Sequence, residues 1–226
     1  MSPGVIVLQQ HHWIEKCDPA RAVFQGRYYR AAKRAMDLGL VLLSAPLWLP
    51  LLLLLALLVA IESPRGGVLF TQERTGKDGK RFRLYKLRTM VPNAEQLKQK
   101  YMYLNELKWP DFKITNDPRV TRIGRFLRKT SLDELPQLLN VLQGDMSIVG
   151  PRPTSFAPGT YRTWQIERLD VKPGLTGLWQ IMGRSSLEFD ERVRLDILYI
   201  NHRCLWLDVQ ILVRTIPAVL SQRGAA

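Results

Sequence analysis

From Leu38 to Ile61 the chain runs 24 residues without a charge, and no other stretch restricts its structure so strongly. A straight helix of that length would be roughly 36 Å long, enough to cross a hydrocarbon core of about 30 Å. Hydropathy alone therefore reads as a transmembrane helix. Two features argue otherwise. Pro46 and Pro50 lie one turn apart near the middle; each deletes a backbone donor and crowds the preceding turn, so a bend is expected there. Both flanks are basic, with Arg27, Arg30, Lys33 and Arg34 before the run and eight Lys and Arg between Arg65 and Arg88 after it. Basic flanks favour the cytoplasmic side, so both ends are expected on one face of a membrane. A helix that enters, bends and leaves on the same side, each arm of about 12 residues reaching roughly 18 Å, reconciles these facts. A Pro-kinked single span is the rival reading. Tyr28 and Tyr29 among the cations fit a membrane interface. A secretory signal fits poorly, because the run starts late, is too long and precedes no small-residue cleavage site.

The 226 residues allow one ordinary domain plus attachments. With 33 Lys and Arg against 20 Asp and Glu, the net charge is +13. Such a balance suits nucleic acid, anionic lipid or phosphorylated substrates, and position must choose among them. Helix-turn-helix, RRM and zinc-finger patterns are not evident, and much of the basic charge borders the apolar run. Cys17 and Cys204 stand alone, without a CxxC or Cys/His cluster, which indicates a reducing compartment rather than a disulfide framework or zinc site. His11, His12 and His202 form no spaced ligand set and read as incidental.

Residues 1 to about 25 show no sustained periodicity and read as an arm. Val68–Thr71 and Arg81–Leu87 read as two strands joined through Gly76-Lys77-Asp78-Gly79, a turn composition that makes a small hairpin. Lys86 and Arg88 at its end are placed to reach an anion. Residues 93–108 carry a helical, aromatic-rich amphipathic pattern, suited to a bilayer surface or to packing on the body. Arg119, Arg122, Arg125 and Arg128 fall at i+3 spacing, a basic stripe if all lie on one helix. Residues 144–153 are turn-forming, with Pro151 and Pro153 stiffening the backbone around Arg152; this suggests an anion site. Residues 171–183 read as a loop in which Trp179 and Gln180 line a pocket, and a helix is expected from Leu187. The apolar stretch Ile211–Leu220 is too short for a second span.

The remaining feature is the adjacent carboxylate pair Asp133 and Glu134. Leu135, Leu138, Leu139 and Leu142 follow at helical spacing, so the acids fall at a helix start. Ser131 with Glu134 fits a capping box; Asp133 as N-cap, with Pro136 in the first turn, fits equally. Either way, backbone N–H groups and the positive end of the dipole suit a phosphate or an ionised carboxylate there. Arg125, Arg128 and Lys129 lie just before, Arg152 just after. The plainer alternative is a capping Glu134 beside a first-turn acid.

The run from Ser131 to Pro153, together with Lys86-Leu87-Arg88-Thr89-Met90 and Lys172-Pro173-Gly174-Leu175-Thr176-Gly177, resembles the bacterial sugar transferase family, the monotopic phosphoglycosyl transferases. The resemblance covers roughly residues 30–220. It implies transfer of a sugar 1-phosphate from a UDP-sugar to a polyprenyl phosphate, releasing UMP, at the cytoplasmic face of a bacterial inner membrane. It matches Asp133 to a nucleophile that forms a covalent phosphosugar intermediate, Glu134 to a partner that helps hold Mg²⁺, and Arg128 and Arg152 to positions near the phosphates; Lys86 and Arg88 are counted with these. It favours the re-entrant form and aligns the usual kink proline with Pro50, although this chain also has Pro46 and an N-terminal arm longer than the smallest relatives carry. The expected fold is α+β, mostly helical: an arm (1–26), a re-entrant membrane helix (27–62), and a cytosolic domain (63–226) with a small β-hairpin and interfacial amphipathic helices. Anionic lipid is an expected partner and nucleic acid is not. A membrane-tethered nucleic-acid binder and a Mg²⁺-dependent phosphatase using the same acids are the rival functions.

Overall fold

The structure, a computed structural model, describes residues 12–15, 17, 20, 23, 26–106, 114–182 and 187–220. Its longest elements are two helices in series, α2 (Gly26–Leu43) and α3 (Ala45–Glu62). They part at Ser44, whose φ of −86° and ψ of −5° leave the regular helix. Side chains bond back across it: Ser44 Oγ donates at 2.6 Å to Leu40 O, which also accepts from the Ser44 N–H, and Trp48 Nε1 donates to Val41 O at 2.9 Å. Pro46 falls in the first turn of α3, where a missing N–H costs little. Pro50 lies inside α3. The break therefore lies in the turn before Pro46, where that proline's missing donor was expected to bend the chain, and not at Pro50.

Trp48, Leu55 and Val59 form the buried seam of α3, while Leu47, Leu53 and Ile61 are 78%, 63% and 69% exposed. A helix that is apolar all round yet largely uncovered is one whose remaining faces belong to a bilayer or a partner. Among the described residues, α3 is the helix long and apolar enough to cross a membrane.

The hairpin forms as expected but with a longer first strand: β1 (Leu69–Thr75) pairs antiparallel with β2 (Arg81–Leu87), from Leu69 opposite Leu87 to Thr75 opposite Arg81. Asp78 and Gly79 supply the positive φ values of its turn, 55° and 74°. Helices α4 (Arg122–Thr130) and α5 (Gln137–Gln143) flank the acid pair. Beyond them, β3 (Ser147–Val149) pairs in parallel with β4 (Gly174–Thr176), where turn and loop were expected. A Cβ on Gly174 would stand 2.1 Å from Gly150 N, so glycine is required where these strands meet. The chain ends its described part in α6 (Leu178–Met182), α7 (Phe189–His202) and α8 (Leu205–Leu220).

Val41, Trp48, Leu84, Val141, Met146, Val149, Leu178, Tyr199, Leu207 and Ile211 share one core, so the chain on both sides of the Ser44 break packs with the body. Leu55 and Val59 meet Leu87 and Leu127 in a second, smaller core. The N-terminal region is less of a free arm than expected. Helical turn α1 (His12–Glu15) buries Ile14 completely, Arg214 lies 4.0 Å from the Trp13 ring centroid, and Cys17 packs beside Cys204 as a buried free thiol.

Two further expectations are corrected. Over 93–108 the described residues form turns and a 3₁₀ segment, Gln99–Leu104, not an amphipathic α-helix; residues 107–108 lie outside the described residues. Arg119 is not on the helix with Arg122, Arg125 and Arg128. It sits before the Thr121 N-cap and forks onto buried Asp117, with Nε at 2.9 Å and a terminal nitrogen at 2.6 Å. An i+3 stripe of arginines cannot foresee that its first member finds a carboxylate two residues away.

Candidate active site

Helix α4 ends when Ser131 turns left-handed, with φ of 59°. Three residues of 3₁₀ helix, Leu132–Glu134, then carry the acids before α5 begins. Neither expected cap forms. Ser131 is already spent on ending α4, and its left-handed backbone is not the extended conformation an N-cap residue adopts. The carboxylates are thus held by side chains from elsewhere rather than by the backbone of α5.

Those side chains divide the pair. Arg152 donates through both terminal nitrogens to the two oxygens of Glu134, one of them at 3.1 Å, and Lys86 Nζ stands 2.7 Å from Glu134 Oε1. Asp133, 8% exposed, has Lys86 at 3.5 Å. Burial pushes the Glu134 carboxyl up, but Arg152 and then Lys86 outweigh it and hold the group well below the usual carboxylate range. For Asp133 burial wins: its carboxyl is raised, with Lys86 opposing. Two chain neighbours of the same chemistry therefore have opposite character, one a locked anion, the other a more basic and less encumbered carboxylate.

Both face a cleft of about 1650 Å³. One wall is the hairpin: antiparallel pairing sets Phe70 opposite Lys86 and Gln72 opposite Leu84, so Phe70, Gln72, Arg74, Lys86 and Arg88 share a face and line the cleft. Arg128 reaches it from α4, its Nε donating to Thr89 Oγ1 at 2.9 Å. α4 can come so close because Gly124 lies against Thr89; a Cβ there would stand 2.1 Å from Thr89 O. Trp179, Gln180 and Arg192 form the opposite side.

Of the residues singled out in the sequence, Asp133, Glu134, Lys86 and Arg152 are drawn into direct contact. Arg128 joins the same cleft, one residue removed by way of Thr89. Arg88 lines the cleft, but its guanidinium donates to Gly67 O at 2.9 Å and so buttresses the hairpin. Trp179 and Gln180 do line the pocket. Sequence reasoning missed three residues. Arg74 faces the cleft from β1, its guanidinium pushed down to about 10 by burial and by neighbouring Arg152. Thr89 orients Arg128. Arg168, 4% exposed, donates to the Arg152 carbonyl at 2.9 Å and to Asp196 at 2.6 Å, fixing the backbone that carries Arg152. The period-2 spacing of Gln72 and Arg74 was the available signal for the first; the others depend on long-range contacts.

Comparison with known proteins points the same way. A galactosyl transferase, CpsE, of Streptococcus agalactiae is 47% identical over 167 residues, covering 73% of this chain and 37% of its own length. A UDP-galactose-lipid carrier transferase of Erwinia amylovora is 42% identical over 201 residues, 87% of this chain and 42% of its own. A UDP-glucose:undecaprenyl-phosphate glucose-1-phosphate transferase of Caulobacter vibrioides is 42% identical over 207 residues, 85% of this chain and 71% of its own. The chain thus spans less than half the length of the first two. The bacterial sugar transferase family model matches residues 28–222, and on that span, which holds the bent helix, the hairpin and the acid pair, the chain belongs to the bacterial sugar transferase family.

Proposed function

We propose that the protein transfers a sugar 1-phosphate from a UDP-sugar to a polyprenyl phosphate such as undecaprenyl phosphate, giving a polyprenyl-diphosphate sugar and UMP, as the first membrane step in assembling a glycan. The observation that carries the reading is the unequal treatment of the two carboxylates. Glu134 has both oxygens engaged by cations, which suits an electrostatic post and not a nucleophile. Asp133 has the raised basicity and the open approach an attacking carboxylate needs. In the first half-reaction an Asp133 oxygen bonds to the phosphorus bearing the sugar, and the bond from that phosphorus to the bridging oxygen breaks, with the electron pair leaving on UMP. In the second, an oxygen of the lipid phosphate attacks the same phosphorus and the carboxylate departs. Lys86, Arg128 and Arg152 balance the charge that builds on the phosphoryl oxygens.

Mg²⁺ fits this donor set in one way. Among the described residues no cluster of three or more His, Cys, Asp and Glu is placed to hold a metal, so substrate phosphate and water would complete the shell, as Mg²⁺ commonly accepts. Glu134 is the carboxylate that would help hold it. Lys86, with one contact to Glu134 against the two-pronged Arg152, is the partner an ion would replace. When bound it supplies positive charge to the diphosphate.

The membrane reading is part of the same proposal: a monotopic, re-entrant helix on the cytoplasmic face. Its support is that Arg34 of α2 and Glu62 of α3 both bond to the same body, at Val141 and Ile123, so both ends of the apolar segment belong beside it. Against a nucleic-acid role stands the placement of Lys86 and Arg152, which are paired with the two carboxylates inside a cleft and not presented to a phosphate backbone. Hydrolysis by the same acids would release UMP or sugar phosphate without acceptor. The test is mass spectrometry of the protein after exposure to UDP-sugar without lipid phosphate. A hexose-phosphate adduct on the peptide containing Asp133, with parallel initial-rate lines, is expected; intersecting lines and no adduct overturn the two-step route.

A further inference from the structure

The turn carrying Asp133 and Glu134 joins two short helices, and the far end of each is held by a charged residue of the bent apolar helix. Glu62, the last residue of α3, accepts from the Ile123 backbone N–H at 3.1 and 3.2 Å, at the start of α4. Arg34 of α2 donates to the Val141 and Leu142 carbonyls at 2.5 and 2.9 Å, in the last turn of α5. An anion at a helix start and a cation at a helix end are the signs the helix dipole favours; Glu62 meets a first-turn N–H, and Arg34 meets two last-turn carbonyls, of which Val141 O also takes the Gly144 N–H. A third residue, Asp37 of α2, is 3% exposed and accepts from Ser147 Oγ at 2.7 Å and from Ile148 N at 3.2 Å. β3 starts there, and Arg152 follows three residues after its end.

Three of the segments that deliver groups to the cleft are therefore tied to the bent helix, on one side or the other of Ser44. Arg128 rides on α4, the acid pair precedes α5, and Arg152 follows β3. The apolar seams beside these bonds are non-directional and would tolerate small slips. Hydrogen bonds at defined angles do not.

We propose that Arg34, Asp37 and Glu62 are positioning residues for the acid pair, the two arms of the bent helix holding α4 and α5 at a set separation across the Leu132–Glu134 turn. The angle at Ser44 is then transmitted to the spacing of Arg128, Asp133 and the Glu134–Arg152 pair. The activity arm of the test rests on the transfer reaction proposed above; the exchange arm does not.

The full chain in phospholipid nanodiscs, as wild type and as Glu62→Ala, Glu62→Gln and Arg34→Met, is followed by amide hydrogen exchange with mass spectrometry and by steady-state transfer. Glu62→Ala is expected to speed exchange roughly fivefold, the size a lost helix cap of ordinary strength gives, in peptides covering 122–126 and 131–136, and to leave residues 193–200 of α7 at wild-type rates. kcat falls with it, while Glu62→Gln, which keeps an acceptor for Ile123 N–H, restores most of both. Arg34→Met speeds exchange at 131–136 from the α5 side. Unchanged exchange at 131–136 in both Glu62→Ala and Arg34→Met overturns the proposal, as does a uniform rise that includes 193–200. Should Glu62→Ala not fold, graded exchange across Glu62→Asp, Glu62→Gln and Arg34→Lys decides it in the same way. A wild type that transfers no sugar phosphate refutes the reaction, and the exchange pattern still judges the positioning.

Discussion

Arg152 grips both oxygens of Glu134, and this one two-pronged pair gives the adjacent acids different fates. A guanidinium matches a carboxylate in the plane, so Glu134 is fixed in direction as well as charge. Asp133, one residue earlier on the same turn, is left to Lys86 at 3.5 Å.

Amide substitutions should separate the two. In Asp133→Asn the costly ionised form is removed, so stability is unchanged or slightly higher while turnover drops by on the order of a thousandfold or more. In Glu134→Gln the favoured anion is removed and Arg152 is left without its partner, so stability falls by about 3 kcal/mol. Chemical denaturation beside initial rates reads both; equal stability losses in the two variants would contradict the division.

The pH dependence follows from the same contrast. In the proposed transfer Asp133 attacks as an anion, and burial raises its carboxyl, so the acid limb of kcat/KM should lie above the ordinary aspartate value. Lys86 opposes that rise, so Lys86→Met should move the limb higher still. Glu134 has a lowered folded value. Its contribution to stability is present above the ordinary glutamate value and lost only as pH falls through the lower folded one, so it does not shape the acid limb.

Arg128 depends on Thr89 and on the close approach at Gly124. Arg128→Lys should cost roughly a hundredfold in turnover, because an ammonium cannot reproduce a planar grip on phosphate. Thr89→Val should produce a milder loss of the same kind, seen mainly in KM for the nucleotide sugar. Gly124→Ala places a Cβ 2.1 Å from Thr89 O and should lower stability by about 1–3 kcal/mol, read by thermal unfolding.

At the bend, Pro50→Leu should act only on α3, whereas Pro46→Leu restores a donor beside the break. Pro46→Leu together with Ser44→Leu, which also removes the hydroxyl bonded to Leu40 O, should straighten the helix. Single cysteines near residues 30 and 66, in a chain without Cys17 and Cys204, report the outcome in intact cells: inside-only labelling for the parent, and outside labelling at one site for the straightened variant.

Several elements were legible without any structure because their causes are local. A run of 24 uncharged residues between basic flanks, a hairpin around Gly76–Gly79 and a periodic helix after Leu187 each follow from spacing within a few turns or strands. The acid pair and Arg152 stood out by residue type and motif. The 3₁₀ segment at Gln99–Leu104 shows the limit of that reasoning: apolar spacing alone could not tell it from an amphipathic helix. β3 and β4, three residues each, are too short to leave a periodic signature, and Arg119 obeyed the helical spacing while pairing off it.

By itself the sequence determined that the chain has one apolar segment too long to bury in a small body and, at Asp133 and Glu134, a pair of acids among cations. Which acid is locked and which is open was decided by Lys86 and Arg152 arriving from β2 and from beyond β3, and the place of the break by how Ser44 and Trp48 satisfy two carbonyls. Partner choice of this kind depends on groups far apart in the chain meeting with bonding geometry, and local propensity carries no information about it.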